Sequence, residues 1–535
     1  MDNDDVARLI EGLMRPESYP GRVETVEHIE THISHLMLAG DFAYKLKKPI
    51  DLGFLDFSTL ERRLHCCEEE MRLNRRLADA LYIGVVPISG TPDAPRVEAE
   101  GSVLEYAVKM HRFPQASLLD RQPLSGSLML RLGERVADFH AAVQSAGPAT
   151  GFGTPDAVLE PMLENVRAVR ARASWPENLS RLDRLEAWIH ERHRTLTPLI
   201  ERRLRQGFVR ECHGDMHRGN IALVGDVIHI FDAIEFNPDL RWIDTASEVA
   251  FLIMDLEQAG EGGCAGLFLN RYLERSGDYG LLALLDFYKV YRAMVRAKVL
   301  AIRLDQSDLE PDEAVRVRRD CTHYLQFAES YTVPRQPHLL IACGLSGSGK
   351  SCIASRLREV LPFIHLRSDI ERKRLFGLRE NARTASDPGS GIYFPSATDW
   401  TYDRLRRLAS GILESGYDVL VDATFLSRSR RRRFIELARR HGAGFAILAL
   451  EAPLEILRQR VMHRLASNDD ASEANVSVLE HQHAERQPLT PNERMHAVVI
   501  DTSCMPPFPE ILAEVRRVLG MEAPEAFRQP RSPNA

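Results

Sequence analysis

The sequence predicts two unlike folded halves: an α+β half, with a small β-containing lobe ahead of a larger helical lobe, then an α/β half. Three observations predict this. Residues 31–48 read as a β-hairpin, whereas helical patterning dominates after Ser125. From His338 a short apolar strand runs into a glycine-rich loop and then an amphipathic helix. Between the halves, Tyr331-Thr332-Val333-Pro334-Arg335-Gln336-Pro337 carries two prolines close together, which prevent helix continuation.

A chain of 535 residues has room for two to four domains, and its apolar and charged fractions are those of a globular protein. The net charge of -7 argues against bulk binding to nucleic acid or an anionic membrane. No run approaches the roughly 20 apolar residues of a membrane span. The N-terminus, Met1-Asp2-Asn3-Asp4-Asp5, is acidic and lacks a basic signal-peptide region, so a cytoplasmic location is expected. Eight cysteines show no C-x-x-C pair and no zinc spacing, as reduced cysteines would. There is no internal repeat. The polar, proline-bearing end from Glu522 to Ala535 reads as a disordered tail. The domains expected are 1–330 and 337–521.

In the first half, the hairpin runs from Thr31 to Leu38, turns at Ala39-Gly40-Asp41, and returns from Phe42 to Lys48. Glu61 to Asp79 reads as a helix. Leu132, Val136, Phe139 and Val143 recur at helical spacing in 126–145. Residues 157–206 and 264–331 are mainly helical, with a β interlude at 221–231.

The most informative segment here is His213-Gly214-Asp215-Met216-His217-Arg218-Gly219-Asn220. After it come a tight hairpin and Asp232 at the end of a strand-like run. The Asp215-x-x-x-x-Asn220 spacing equals that of a protein-kinase catalytic loop. In such chemistry one carboxylate accepts the proton of the attacking hydroxyl. An amide oxygen and a second carboxylate hold Mg²⁺ against the triphosphate. Asp215, Asn220 and Asp232 fit those roles in that order.

On these residues, roughly 25–325 resembles the aminoglycoside phosphotransferase family of kinase-like enzymes. The resemblance implies a protein-kinase-like bilobal fold and phosphorylation of a small-molecule hydroxyl, but not an aminoglycoside acceptor. Kinase-like folds carry a phosphate-binding lysine on the third strand, in an A-x-K context. Ala43-Tyr44-Lys45 supplies it. Strand alternation puts Ala43, Lys45 and Lys47 on one face, so Lys47 is the rival. The partner carboxylate is expected on the next helix; Glu70 fits best among Glu68, Glu69 and Glu70, with Met71, Leu73 and Leu77 as its packing stripe. The inter-lobe hinge is expected at Leu104-Glu105-Tyr106-Ala107. No G-x-G-x-x-G precedes the hairpin, which leaves the nucleotide-covering loop unidentified. Asp244 and Glu248 are expected to anchor the following helix. His213 and His217 could be zinc ligands only with a third ligand, and none is suitably spaced.

In the second half, Gly344-Leu345-Ser346-Gly347-Ser348-Gly349-Lys350-Ser351 matches G-x-x-x-x-G-K-[ST] in its strand–loop–helix context. Its glycines let backbone N–H groups face phosphate oxygens, with the helix N-terminus behind them. Lys350 would neutralise β/γ-phosphate charge, and the Ser351 hydroxyl would bind Mg²⁺. Ser368-Asp369-Ile370-Glu371-Arg372 gives an S-D-x-x-R pattern, and the apolar run Tyr417–Val421 ends at Asp422. A helix after Ala452-Pro453 carries Arg458, Arg460 and Arg464.

Residues 337–520 resemble the small P-loop kinases of the gluconate-kinase, polynucleotide-kinase and zeta-toxin-like group. The resemblance implies Asp369 as the base for a substrate hydroxyl, Arg372 as a substrate or phosphate contact, and Asp422 as the carboxylate ordering Mg²⁺. It implies Arg460 and Arg464 as lid arginines. Arg428 and Arg430 to Arg433 read either as a solvated helix face or as a subsite for an anionic substrate. They lack interleaved aromatics, so polynucleotide binding is not favoured. Ser467 to Asn475 reads as a lid tip.

The expected whole is a protein-kinase-like bilobal α+β domain followed by a three-layer α/β P-loop NTPase domain. The expected function is a bifunctional ATP- and Mg²⁺-dependent phosphotransferase acting on small-molecule hydroxyl acceptors. Two alternatives remain open: one active half with a nucleotide-binding regulatory partner, or a toxin-like kinase acting on nucleotide-sugars.

Overall fold

The computed structural model describes residues 3–51, 53, 55–173, 175–305, 309–380, 382, 384, 391–467 and 474–521. The chain divides into two compact units: Met1–Leu128 with Arg135–Gly260 and Leu285–Thr332, and Met129–Glu134 with Glu261–Leu284 and Val333–Ala535.

The first unit opens with α1 (Asn3–Leu13), β1 (Val26–Glu30), β2 (Ser34–Ala39) and β3 (Phe42–Lys47). It continues with α2 (Leu60–Ala78), β4 (Tyr82–Thr91), β5 (Ala94–Val97) and β6 (Val103–His111). These strands form one antiparallel sheet in the order β1-β2-β3-β6-β4-β5. The β2–β3 hairpin closes on the two-residue turn Gly40-Asp41 between paired Ala39 and Phe42. Gly40 has φ +58°, the left-handed conformation that such turns require. One sheet face packs Met37, Tyr44, Leu46, Ile88 and Ala107 under Leu9 and Leu13 of α1. The other receives α2, which the Thr59 side chain caps by accepting from Arg62 N–H.

The expected hinge at Leu104–Ala107 is corrected. Those residues lie inside β6, where Glu105, Tyr106 and Ala107 pair with Ile88, Pro87 and Val86. Ala107 and Val108 are fully buried, so the ladder continues to His111 before the chain turns at Arg112-Phe113-Pro114.

The larger lobe contains α3 (Gly126–Ala142), α4 (Pro155–Arg172), α5 (Pro176–Arg205) and the strand pair β7 (Val209–Glu211) and β10 (Trp242–Asp244). The hairpin β8 (Ile221–Val224) and β9 (Val227–Ile230) lies between that pair in sequence. Next come α6 (Thr245–Gln258), α7 (Gly262–Ser276), α8 (Leu282–Arg303) and α9 (Pro311–Ser330). α7 groups with the second unit.

The second unit holds a five-stranded parallel sheet in the order β12-β13-β11-β14-β15. The strands are β11 (His338–Cys343), β12 (Ile364–Arg367), β13 (Val419–Asp422), β14 (Gly444–Glu451) and β15 (Ala497–Asp501). They read as near-continuous apolar runs because a parallel sheet is covered on both faces. The helices are α10 (Lys350–Val360), α11 (Ser368–Leu375), α12 (Pro395–Glu414), α13 (Arg428–Arg440), α14 (Leu454–Ser467), α15 (Val476–Glu485), α16 (Pro491–Arg494) and α17 (Phe508–Leu519). On one face, Ile353 and Leu357 of α10 and Ile511 and Val515 of α17 join the core.

β12 is an edge strand, and α7 covers it. The buried Asn270 amide donates to the Phe363 carbonyl at 2.9 Å and accepts the His365 N–H at 2.7 Å. Arg271 pairs with Glu380, and Glu274 with Arg367. One side chain thus satisfies the edge backbone groups that another strand would pair.

The tail from 522 lies outside the described residues, as do the central residues 468–473 of the expected lid tip.

Candidate active sites

In the first unit, the strand face carrying Ala43, Lys45 and Lys47 meets the inner face of α2. Lys45 Nζ lies 3.0 Å from Glu70 Oε1 and also pairs with Asp232 Oδ1. The rival Lys47 does not compete for the same place. It is fully buried and pairs with the other Glu70 oxygen and with Glu235. Both lysines therefore touch Glu70, but only Lys45 lines the adjoining cavity of about 230 Å³, with Leu36, Ala43, Met110, Phe231 and Asp232. Burial disfavours charge on Lys45, yet Asp232, Glu70 and Glu235 outweigh it and raise its pKa well above the ordinary lysine value. Glu235 lacked a local signal: it becomes a partner only when the segment after Asp232 folds under β3.

The loop after β7 is fixed from several directions. Glu248 Oε1 accepts the N–H groups of His213 and Gly214 at 2.7 and 2.6 Å, and its Oε2 lies 2.8 Å from His140 Nε2. Gly214 has φ +91°, and a Cβ there would meet the Leu240 carbonyl at 2.8 Å. Arg292 donates to the Gly214 carbonyl, and Asp255 accepts from the Arg218 backbone and guanidinium. Glu248 thus anchors the loop itself, whereas Asp244 caps α6 and pairs with buried Arg203.

On this support, Asn220 Nδ2 donates to the Asp215 carbonyl and carboxylate, both at 3.0 Å. His217 Nε2 lies 3.5 Å from Asp215 Oδ2. Burial disfavours charge on Asp215, but His217, with His213 and Arg296, holds the carboxyl below its ordinary range. Asp232, at φ +64°, has its carboxyl lowered by Lys45 against the effect of burial. Lys45 and Glu70 thus meet Asp232 at the cavity, and Asn220 meets Asp215 in the loop whose Gly219 also lines it.

The β1–β2 loop, which carries no glycine, borders this cavity. Thr31 and Ser34 close it with mutual bonds, including Ser34 N–H to Thr31 Oγ1 at 3.0 Å. Ile29, Thr31, Ser34 and Leu36 line the cavity.

In the second unit, Gly344, Gly347 and Gly349 all take positive φ as the loop leaves β11. At Gly344 a Cβ would sit 2.6 Å from both the Leu450 carbonyl and Ser348 Oγ. Lys350 Nζ donates back to the Gly344 and Leu345 carbonyls at 3.0 and 2.9 Å. Ser351 Oγ donates to Asp422 Oδ2 at 2.8 Å. His365 Nε2 lies 3.6 Å from that same oxygen, beyond hydrogen-bond length. Burial disfavours charge on Asp422, yet His365 and Lys350 hold it below the ordinary carboxylate range. Ser346 N–H is occupied by Gln482 Oε1 at 2.9 Å, a contact from α15 with no local sequence signal.

A cavity of about 510 Å³ joins Lys350, Ser351, Asp369, Arg372, Asp422 and Arg430, and it also reaches Arg460 and Arg464. Arg372 donates to the Ile392 carbonyl and Thr398. Arg460 donates to Thr502, and Arg464 to the Ala474 carbonyl. Arg458 points elsewhere, to Glu455 and Glu480. The arginine run is not one surface. Arg432 is solvated, Arg430 reaches the cavity over Tyr402, and Arg431 is buried against Glu493 at 2.7 Å. The solvated-face and anion-subsite readings therefore fail for Arg431, whose guanidinium also bonds the Phe425, Gln487 and Pro488 carbonyls.

A phosphotransferase enzyme family model matches residues 57–285, and an AAA domain model matches 339–489. Uncharacterized proteins from Mycobacterium tuberculosis and Mycobacterium bovis are 30% identical over 451 residues, covering 83% of this chain and 87% of theirs. Among solved structures, an amicoumacin kinase in complex with AMP-PNP is 13% identical, covering 61% of this chain and 94% of its own, with a TM-score of 0.39. A gluconokinase from Sinorhizobium meliloti is 22% identical, covering 35% of this chain and 93% of its own, with a TM-score of 0.25. The chain belongs to the same family as the mycobacterial proteins and is a kinase-type phosphotransferase that joins a phosphotransferase-family domain to a P-loop kinase domain.

Proposed function

We propose that both units transfer the γ-phosphoryl group of ATP to hydroxyl groups of small molecules, each with its own site. The observation carrying this is that each cleft gathers a full set of roles. One is lined by Lys45, Glu70 and Asp232, with the Asp215–Asn220 pair in the loop whose Gly219 also lines it; the other is lined by Lys350, Ser351, Asp369 and Asp422.

The residues suit a hard cation. In the first cleft, Asn220 spends its N–H₂ on Asp215, which leaves its amide oxygen to pair with the Asp232 carboxylate as oxygen ligands. In the second, the Ser351–Asp422 pair supplies a hydroxyl and a carboxylate beside a glycine loop of positive φ. Bound Mg²⁺, held by these residues, would neutralise charge on the triphosphate.

In the first site, Lys45 shifts its contacts from Asp232 toward the phosphates while Glu70 keeps it oriented. Asp215, held ionised, accepts the acceptor hydroxyl's proton as that oxygen bonds to the γ-phosphorus. The bond from γ-phosphorus to the bridging oxygen breaks, and ADP leaves. In the second site, the loop N–H groups and Lys350 cradle the phosphates, and Asp369 takes the proton. Arg460 and Arg464 cover the transferring group, and Arg372 orients the acceptor.

The test is a screen of the full chain with ATP and Mg²⁺ against sugars, amino sugars and nucleosides, with Asp215→Ala and Asp369→Ala in parallel. Each variant should lose one set of acceptors and keep the other. Loss of every activity in one variant, with the other silent, would reassign the unaffected unit as a regulatory nucleotide binder.

A further inference from the structure

The β1–β2 hairpin has two faces with different contents. Ile29, Thr31, Ser34 and Leu36 face the nucleotide-side cavity. The opposite face carries His28, Glu30 and His35. Glu30 and His35 are directly paired across the strands, and His28 precedes Glu30 by one strand repeat. Cross-strand pairs and i, i+2 neighbours share a face, so the backbone itself gathers the three side chains.

We propose that His28, Glu30 and His35 form a binding site for one divalent transition-metal ion of the zinc class. Their ligand atoms all lie within 4.8 Å of one another, and His28 Nε2 is 3.0 Å from His35 Nδ1. Two nitrogens held about 2.0–2.1 Å from one zinc ion at near-tetrahedral or right angles would be about 2.8–3.4 Å apart, so the rings already stand at ligand spacing. Glu30 is exposed and closes the remaining gap by rotation. One of its oxygens is held by Lys48 at 2.5 Å, which leaves the other for the ion. Two imidazoles and one carboxylate favour zinc, cobalt, nickel or copper over magnesium, and the solvent side supplies the open position.

The other cluster with ligand-type atoms among the described residues, His140, Cys212 and Glu248, does not share these properties. Both Glu248 oxygens are committed to His140 and to the His213 and Gly214 N–H groups. Burial raises the Cys212 thiol well above its ordinary value, against thiolate formation. That cluster fixes the catalytic loop, whereas the hairpin cluster lies outside it.

An ion at the hairpin would clamp β1 to β2 behind the cavity wall. Metal binding itself does not depend on the phosphotransfer reading. The experiment is titration of the chelator-treated full chain with Co²⁺, read by visible absorption and by competition with Zn²⁺. One equivalent should give ligand-field bands without a thiolate charge-transfer band. His28→Ala should lower that affinity at least about 100-fold, since losing an outer-shell partner alone costs about 10- to 100-fold. His35→Ala should do the same; because His35 is buried, the more accessible His28 keeps the test valid if that variant unfolds. Unchanged Co²⁺ affinity in folded His28→Ala, a thiolate spectrum from exposed Cys352 or Cys504, or no binding below millimolar Co²⁺ would overturn the proposal.

Discussion

Lys47 and Glu70 form an ion pair in which neither side chain is exposed, two residues along the strand from the Lys45–Glu70 pair at the cavity. Glu70 therefore has one oxygen for each lysine. The helix carboxylate is held inward even when Lys45 changes its partners, because Lys47 is also locked to Glu235.

Lys47→Met should destabilise the protein by about 3–5 kcal/mol, the cost of leaving buried charge uncompensated. Glu70 and Glu235 would then face each other without their shared cation. Denaturant unfolding of the full chain checks this. A change under about 1 kcal/mol would mean that the pair is screened by solvent. Glu235→Gln should cost less, since Lys47 keeps Glu70.

Asp215→Ala should reduce phosphotransfer in the first unit by about 100-fold or more. The wild-type carboxyl is held below its ordinary range, so it is ionised above that range and becomes protonated only as pH falls through its lowered folded value. Two consequences share this sign. No acid limb of kcat near neutral pH should come from Asp215, and its contribution to folding should be full above about pH 4 and fade below it. A pH–rate profile with an acid limb near 6 that disappears in Asp215→Asn would contradict the assignment.

Gln482→Ala should tighten ATP binding to the second unit. Ser346 N–H now donates to the Gln482 side chain, so nucleotide must displace that bond. A net hydrogen bond is worth about 0.5–1.5 kcal/mol, which sets the expected gain at about 2- to 10-fold in Kd. Nucleotide titration of the full chain in a Lys45→Met background isolates the second site. Weaker binding would make Gln482 a support of the loop rather than a competitor.

Asn270→Leu should destabilise the second unit by about 2–4 kcal/mol. It removes a donor and an acceptor at once and leaves the Phe363 carbonyl and His365 N–H buried without their partner. Thermal melts of the full chain should show an earlier transition. For the same reason, a fragment beginning near 335 lacks the helix that covers β12 and should melt below the intact chain.

The parts legible in the sequence were those whose chemistry is written in consecutive residues. The loop from Gly344 to Ser351 needs its glycines and its lysine at fixed spacing, because neighbouring N–H groups must turn inward together. Asp215, Asn220 and Asp232 are close enough in sequence for one loop and one hairpin to position them. Strand alternation put Lys45 and Lys47 on one face but could not rank them. Only the fold of the segment after Asp232 gave Lys47 a second acidic partner and left Lys45 at the cavity. Leu104–Ala107 reads as a linker or a strand alike until its pairing with β4 is known. Arg431 reads as part of a solvated face or of an anion subsite until Glu493, far along the chain, meets it. The sequence by itself determined the two folds, the phosphate loop and the close spacing of Asp215, Asn220 and Asp232, since short-range spacing and periodicity control them. Tertiary structure alone decided the partners Glu235, Gln482 and Asn270, and the meeting of His28 with His35. Those contacts depend on strand register, helix docking and loop closure, which no local run of residues encodes.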